Sequence, residues 1–162
     1  MKRIAFLSLI ALAVVGCQNS TKKRDADFLA QDSVTGMPLS NRNEGMNFMG
    51  GNIDKTMFQP VYFEFDSSNI GSSEYPKLDQ VAQFLRNNRA SVIIAGFTDE
   101  TGTTEYNRAL GEKRALAVRE QLVRKGASAE RLQTVSFGEE MLANPNDGTA
   151  AVNRRAEFGV AK

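Results

Sequence analysis

Between residues 58 and 162 the spacing of apolar residues switches repeatedly between a strand-like and a helix-like period, and that alternation restricts the architecture more than any other feature of the chain. Val61-Tyr62-Phe63-Glu64-Phe65 reads as a strand with Val61, Phe63 and Phe65 on one face, ended by the turn-forming Asp66-Ser67-Ser68-Asn69. A helix is predicted from about Glu74 to Asn87. Ser73 is the candidate N-cap, and Leu78, Val81, Ala82 and Leu85 form an inward stripe. Ser91–Phe97 contains the near-continuous apolar run Val92-Ile93-Ile94-Ala95, the mark of a central strand covered on both faces. A second helix is predicted from Thr104 to Lys125, with Gly126 suited to stop it and Gly111, Ala115, Val118 and Leu122 as its narrow buried stripe. Leu132–Phe137 and Arg154–Val160 read as the last two strands, separated by a polar loop over 138–152.

The resulting order is β-α-β-α-β-β. It predicts an α/β two-layer sandwich with a mixed four-stranded sheet and both main helices on one face. Strand–helix–strand units favour parallel neighbours, and the last two strands, joined without a helix, are expected to be antiparallel.

The chain ahead of this domain reads differently. Lys2 and Arg3 precede a twelve-residue apolar stretch, Ile4–Val15, too short for the roughly 20 residues that span a bilayer. Residues 1–16 therefore read as a signal peptide. The stretch ends Val14-Val15-Gly16-Cys17, which resembles the lipobox of bacterial lipoproteins. That resemblance implies cleavage before Cys17 and lipidation of it. Gln18, where an Asp is absent, implies sorting to the outer membrane. Residues 17–57 read as the lipidated cysteine and a flexible tether, polar and charge-balanced, with too few apolar residues to offset ordering entropy. Forty flexible residues span on the order of 35 Å. Phe28, Leu29, Met46, Phe48 and Met49 stand out as either a partner-binding patch or loosely ordered tether residues.

Charge and composition exclude several functions. The formal net charge of +1 implies no general affinity for nucleic acid. The chain has no histidine, which removes the commonest general base and metal ligand, and its single cysteine rules out an intramolecular disulfide and a multi-cysteine metal site. No cofactor or metal is expected beyond the lipid on Cys17.

The chemistry concentrates in residues 96–115. Asp99 follows the central strand at the edge where ligands of open α/β sheets bind. Asn107 and Arg114 lie two turns apart on the second helix, at the border of its apolar stripe. The Asp66 loop is expected to emerge at the same end, after a neighbouring parallel strand. An arginine fork matches a carboxylate, a carboxylate such as Asp99 matches an ammonium, and Thr101 and Asn107 can add neutral hydrogen bonds. That set suits an amino-acid-like zwitterion. The competing reading is that Asp99 and Arg114 pair with each other or with surface charges and only brace the loop–helix junction.

The same stretch carries a family resemblance. Thr98, Asp99, Gly102, Tyr106, Asn107, Leu110, Arg114 and Ala115 stand in the register of the OmpA-like peptidoglycan-binding domain. Tyr62-Phe63-Glu64-Phe65-Asp66 resembles that family's opening and Asn153-Arg154-Arg155 its close, so the likeness covers about residues 60–162. It implies a non-catalytic, outer-membrane lipoprotein with its domain facing the periplasm. The implied ligand is diaminopimelate of the peptidoglycan stem peptide. Asp99 would bind the ligand's ammonium and Arg114 its carboxylate; Asn107, Thr101 and Asp66 would add hydrogen bonds. Arg154 is expected to brace a nearby acid. The resemblance further implies contact with the β-propeller protein of the Tol system. Asp99→Ala and Arg114→Ala are each expected to abolish binding and leave the domain folded. Where the family commonly has histidine, this chain has Phe97, which raises the question of an altered pocket.

Two other readings compete. One is a lipoprotein with the same domain and no Tol role. The other is a wall-cleaving hydrolase using two carboxylates, Asp66 with Asp99 or Asp99 with Glu100.

Overall fold

The structure, a computed structural model, describes residues 47–161. The signal peptide, Cys17 and most of the expected tether lie outside the described residues.

Five strands form one sheet: β1 (Ile53–Asp54), β2 (Val61–Tyr62), β3 (Val92–Phe97), β4 (Leu132–Gly138) and β5 (Arg155–Ala161). Two helices, α1 (Tyr75–Asn87) and α2 (Thr104–Arg124), pack together on one face. The predicted α/β sandwich is the observed architecture. The order β1-β5-β3-β4, with β2 also on β5, departs from the expected pairing in one respect. β5 inserts between β2 and β3 and runs antiparallel to both. The two strands are parallel in direction but not neighbours, and β4 pairs with β3 rather than with β5. Because β2 and β3 still point the same way, the Asp66 and Asp99 loops leave the sheet at one end.

β3 explains its own sequence. Val92 and Ile94 face the helices, with Leu78, Val81, Leu85, Val118 and Leu122. Ile93, Ala95 and Phe97 face the other side, where Val135 of β4 lies beside Ala95 and Phe48 packs against them. All six residues of the strand are buried, so the run has no polar alternation.

That second face corrects the expected domain boundary. Residues 47–57 are not tether: Phe48 is buried against Phe97 and Phe137, and Ile53 and Asp54 pair with Ala161 and Val160. A single sheet face needs cover, and a short strap carrying one phenylalanine supplies it. Phe97 stacks on Phe137 in this cluster, and the Arg155 guanidinium lies over the Phe97 ring, 4.1 Å from its centroid. The Phe97 side chain is thus on the face away from the Asp99 loop's pocket, and its replacement of histidine fills an apolar cluster.

Two smaller differences have local causes. Glu74, not Ser73, precedes α1, because residues 72–74 form a 3-10 turn that delays the helix. β2 ends at Tyr62 rather than Phe65. Beyond it Phe63 N–H still donates to the Arg154 carbonyl, but the Phe63 and Glu64 carbonyls accept from the Arg154 and Arg114 side chains, and Ser67 N–H turns back onto Glu64.

The approach of α2 to β3 fixes the site. A Cβ on Gly96 would lie 1.9 Å from the Gly111 carbonyl oxygen, so the two backbones touch where any side chain would part them. Gly96→Ala is expected to destabilise the domain by about 3 kcal/mol through overpacking against backbone. A shift in denaturant midpoint measures it; an unchanged midpoint would mean that helix and strand do not meet there.

Candidate functional site

The loop after β3 is held from two sides. Thr98 N–H donates to the Gly138 carbonyl at 2.8 Å, and Glu100 N–H to that of Gly148 at 3.1 Å. The 144–148 segment is itself organised by Asn153, wholly buried, whose Nδ2 donates to the carbonyls of Asp147 and Gly148 at 2.9 Å each. Thr103 caps α2 by accepting from Tyr106 N–H, which sets where the helix begins and hence where Tyr106 and Asn107 stand.

These constraints enclose a cavity of about 170 Å³ lined by Phe65, Asp66, Asp99, Thr101, Gly102, Tyr106, Asn107 and Leu110. Four of the five ligand-contact residues expected from the sequence, Asp66, Asp99, Thr101 and Asn107, meet there. Asp99 is buried; Oδ1 accepts from Thr101 N–H at 3.3 Å and Oδ2 from Arg154 Nη1 at 3.3 Å. Arg154 is therefore the brace for a nearby acid, and that acid is Asp99. Asp66 adopts a left-handed backbone, φ 52°, and accepts from the Tyr106 hydroxyl, a bond that raises the Tyr106 pKa. Asn107 is buried with its Nδ2 donated to Glu139. A carboxylate only accepts, so this bond fixes the amide's orientation and leaves Asn107 Oδ1 without a partner among the described residues.

Arg114 is elsewhere. It does not line the cavity, and its side chain is 0% exposed. Nε donates to the Ser67 carbonyl at 2.8 Å, Nη1 to Phe97 at 2.8 Å and Nη2 to Glu64 at 3.3 Å, with the Phe63 ring 5.2 Å away. The expected fork toward a ligand carboxylate is instead a clamp tying the β3 end to the 64–67 turn. Burial pulls its pKa down to about 10, resisted by Asp99 and Asp66, so the group stays charged at neutral pH. Nor does it pair with Asp99. Its three carbonyl partners come from segments distant in sequence, and nothing local signals them.

The cavity presents acceptors: two carboxylates and an orphaned amide oxygen. A buried acceptor without a donor is costly, about 1–3 kcal/mol, so the arrangement favours a ligand that brings N–H groups. Asp66 and Asp99 are also the pair a two-carboxylate hydrolysis would use. Tyr106 is the pocket residue that sequence reasoning gave no role; its place in the motif beside Asn107 was the available signal. Among the described residues no group of three or more His, Cys, Asp or Glu could hold a metal ion.

Comparisons with known proteins show which family the chain resembles. The OmpA family model matches residues 62–156, more than half of the chain. A peptidoglycan-associated lipoprotein of Pseudomonas putida is 36% identical, the match covering 96% of this chain and 95% of that protein. Its counterpart from Pasteurella multocida is 40% identical over 76% of this chain and 86% of its own. Among solved structures, the peptidoglycan-associated lipoprotein from Burkholderia pseudomallei superposes with a TM-score of 0.60 at 35% identity, covering 70% of this chain and 98% of that one. The C-terminal domain of Helicobacter pylori MotB, 24% identical with a TM-score of 0.59, shares the fold. A signature running from Tyr62 to Ala156, and a likeness reaching nearly from end to end, place this chain in the OmpA family, among the peptidoglycan-associated lipoproteins.

Proposed function

We propose that the chain is a peptidoglycan-binding envelope lipoprotein that grips the cell wall without cleaving it, holding the outer membrane to the wall through lipid on Cys17. The observation that carries the reading is the small cavity where Asp99, Asp66 and the orphaned Asn107 Oδ1 converge. It suits the ammonium end of diaminopimelate, with Thr101 lining the entrance. At about 170 Å³ the cavity is smaller than the roughly 300–1,000 Å³ of whole-ligand sites, which fits recognition of one side-chain terminus. Arg114 contributes from behind: its charge offsets Asp99 and Asp66, and its clamp holds the 64–67 turn in place.

One such contact is modest and partly screened by salt. A wall repeats its stem peptides densely, and a tethered domain meets them at high effective concentration. The likeness to peptidoglycan-associated lipoproteins also supports contact with the Tol-system β-propeller protein, tested by cross-linking followed by co-purification.

Elution from isolated sacculi tests the ligand. Free diaminopimelate is expected to release bound protein and equimolar pimelate is not, since pimelate keeps both carboxylates and lacks the ammonium groups. Equal release by both would reject diaminopimelate as the recognised group. For the anchor, Cys17→Ser is expected to move the protein out of the membrane fraction, because acyl chains contribute about 0.8 kcal/mol per buried CH₂ and nothing would replace them. Recovery of that variant with the outer membrane would refute lipid anchoring.

A further inference from the structure

The cavity at Asp99 leaves a larger one unexplained. A groove of about 640 Å³ lies on the other side of the 63–67 turn, between β2, the segment after that turn and residues 151–154. Tyr62 and Ile70 give it apolar surface, Asn69 and Ser73 neutral hydrogen-bonding groups, and Glu64 and Arg154 charge. Glu74 also borders it but is held by Lys77 at 2.7 Å and by Tyr62 N–H at 2.8 Å. Glu64 is exposed at the rim.

Arg154 belongs to both places. Nη1 reaches Asp99 Oδ2 at 3.3 Å and the Thr149 carbonyl at 3.3 Å, and Nε donates to the Phe63 carbonyl at 3.2 Å. Nη2 makes no hydrogen bond among the described residues, while the side chain lines the groove at 14% exposure. A guanidinium is planar and rigid. One edge of this one is fixed on the carboxylate that reads the ammonium, which holds the other Nη, a free donor, at a set position beside the groove.

We propose that this groove is a second subsite, which takes a carboxylate-bearing part of the same peptide whose ammonium sits at Asp99, with Arg154 Nη2 as the carboxylate's donor. The proposal rests on the ammonium reading of the Asp99 cavity. The wall between the two, Phe63–Ser67, is held by Arg154 on one side and Arg114 on the other, so a ligand crossing it meets a preformed surface. The groove's size suits several residues of peptide, where the Asp99 cavity suits one terminus. Glu64 at the rim disfavours anions that bring no ammonium of their own.

Calorimetric titration of the full chain in detergent, using three probes, tests this. The probes are free diaminopimelate, a stem tripeptide ending in diaminopimelate, and the same tripeptide with its glutamyl carboxylate amidated. Wild type is expected to bind the acid tripeptide about tenfold more tightly than either other probe, the effect of one charge-assisted contact. Arg154→Gln is expected to erase the difference between acid and amidated tripeptide. Gly71→Trp fills the groove from a position where a Cβ meets only Ser73 Oγ, at 3.8 Å. It is expected to lower tripeptide affinity to that of diaminopimelate, leaving diaminopimelate binding and thermal stability unchanged. Equal binding of acid and amidated tripeptide by wild type would overturn the proposal. So would an equal loss on both in Arg154→Gln, which would make Arg154 a brace for Asp99 alone. If wild type binds none of the three, the Asp99 reading itself fails; if it binds diaminopimelate and gains nothing from the tripeptide, only the second subsite fails.

Discussion

Arg114→Ala is expected to unfold the domain far more readily than wild type, at a loss of about 3–5 kcal/mol against a typical total of about 5–15. The substitution leaves the buried Phe97 carbonyl without this donor, at about 1–3 kcal/mol, and takes one donor from the part-buried carbonyls of Ser67 and Glu64, the latter still accepting from Ser67 N–H. It also empties the volume of a large, fully buried side chain next to Phe63. Relief of the cation's own desolvation, the cause of its lowered pKa, offsets part of this. Arg114→Lys keeps the charge, but a single ammonium cannot reproduce the planar three-way donation, and an intermediate loss is expected. Guanidinium denaturation followed by far-UV circular dichroism measures both. An Arg114→Ala protein with a wild-type midpoint and no ligand binding would return Arg114 to direct ligand contact.

Asp99→Asn is expected to act in the opposite way, with stability mostly kept and binding lost. The asparagine Oδ1 can still accept from Thr101 N–H, and Arg154 retains the carbonyls of Phe63 and Thr149. The new Nδ2 faces Arg154 Nη1 donor to donor in a buried spot, so a stability loss of about 1–2 kcal/mol is expected. What disappears is the negative charge opposite the ligand's ammonium. A charge-assisted hydrogen bond contributes about 1.5–3 kcal/mol, so affinity should fall on the order of tenfold to a hundredfold. Multiplied across a tethered, multivalent contact, that is enough to release the protein from the wall.

The contrast between these two residues shows how far sequence reasoning reached. Both stood out as charged groups at one loop–helix junction, and Asp99, Tyr106 and Asn107, read from the motif's register, line one cavity. The role of Arg114 depended on three carbonyls, two of them about fifty residues away, in a turn whose path no local pattern specifies. The helices were legible because their stripes are local: Leu78, Val81, Ala82 and Leu85 are all buried. Strand order was not, since insertion of β5 between β2 and β3 is decided by long-range pairing. Phe48 illustrates the same limit. One aromatic residue in a polar segment carries no periodicity, and only the uncovered sheet face beneath Ile93, Ala95 and Phe97 gives it a place.

Retention on purified sacculi, compared between wild type and Asp99→Asn with both shown to be folded, tests the central claim most directly. Wild type is expected to sediment with the sacculi at low salt and Asp99→Asn to remain in the supernatant. Sedimentation of folded Asp99→Asn to the wild-type extent would contradict a wall grip built on the Asp99 cavity.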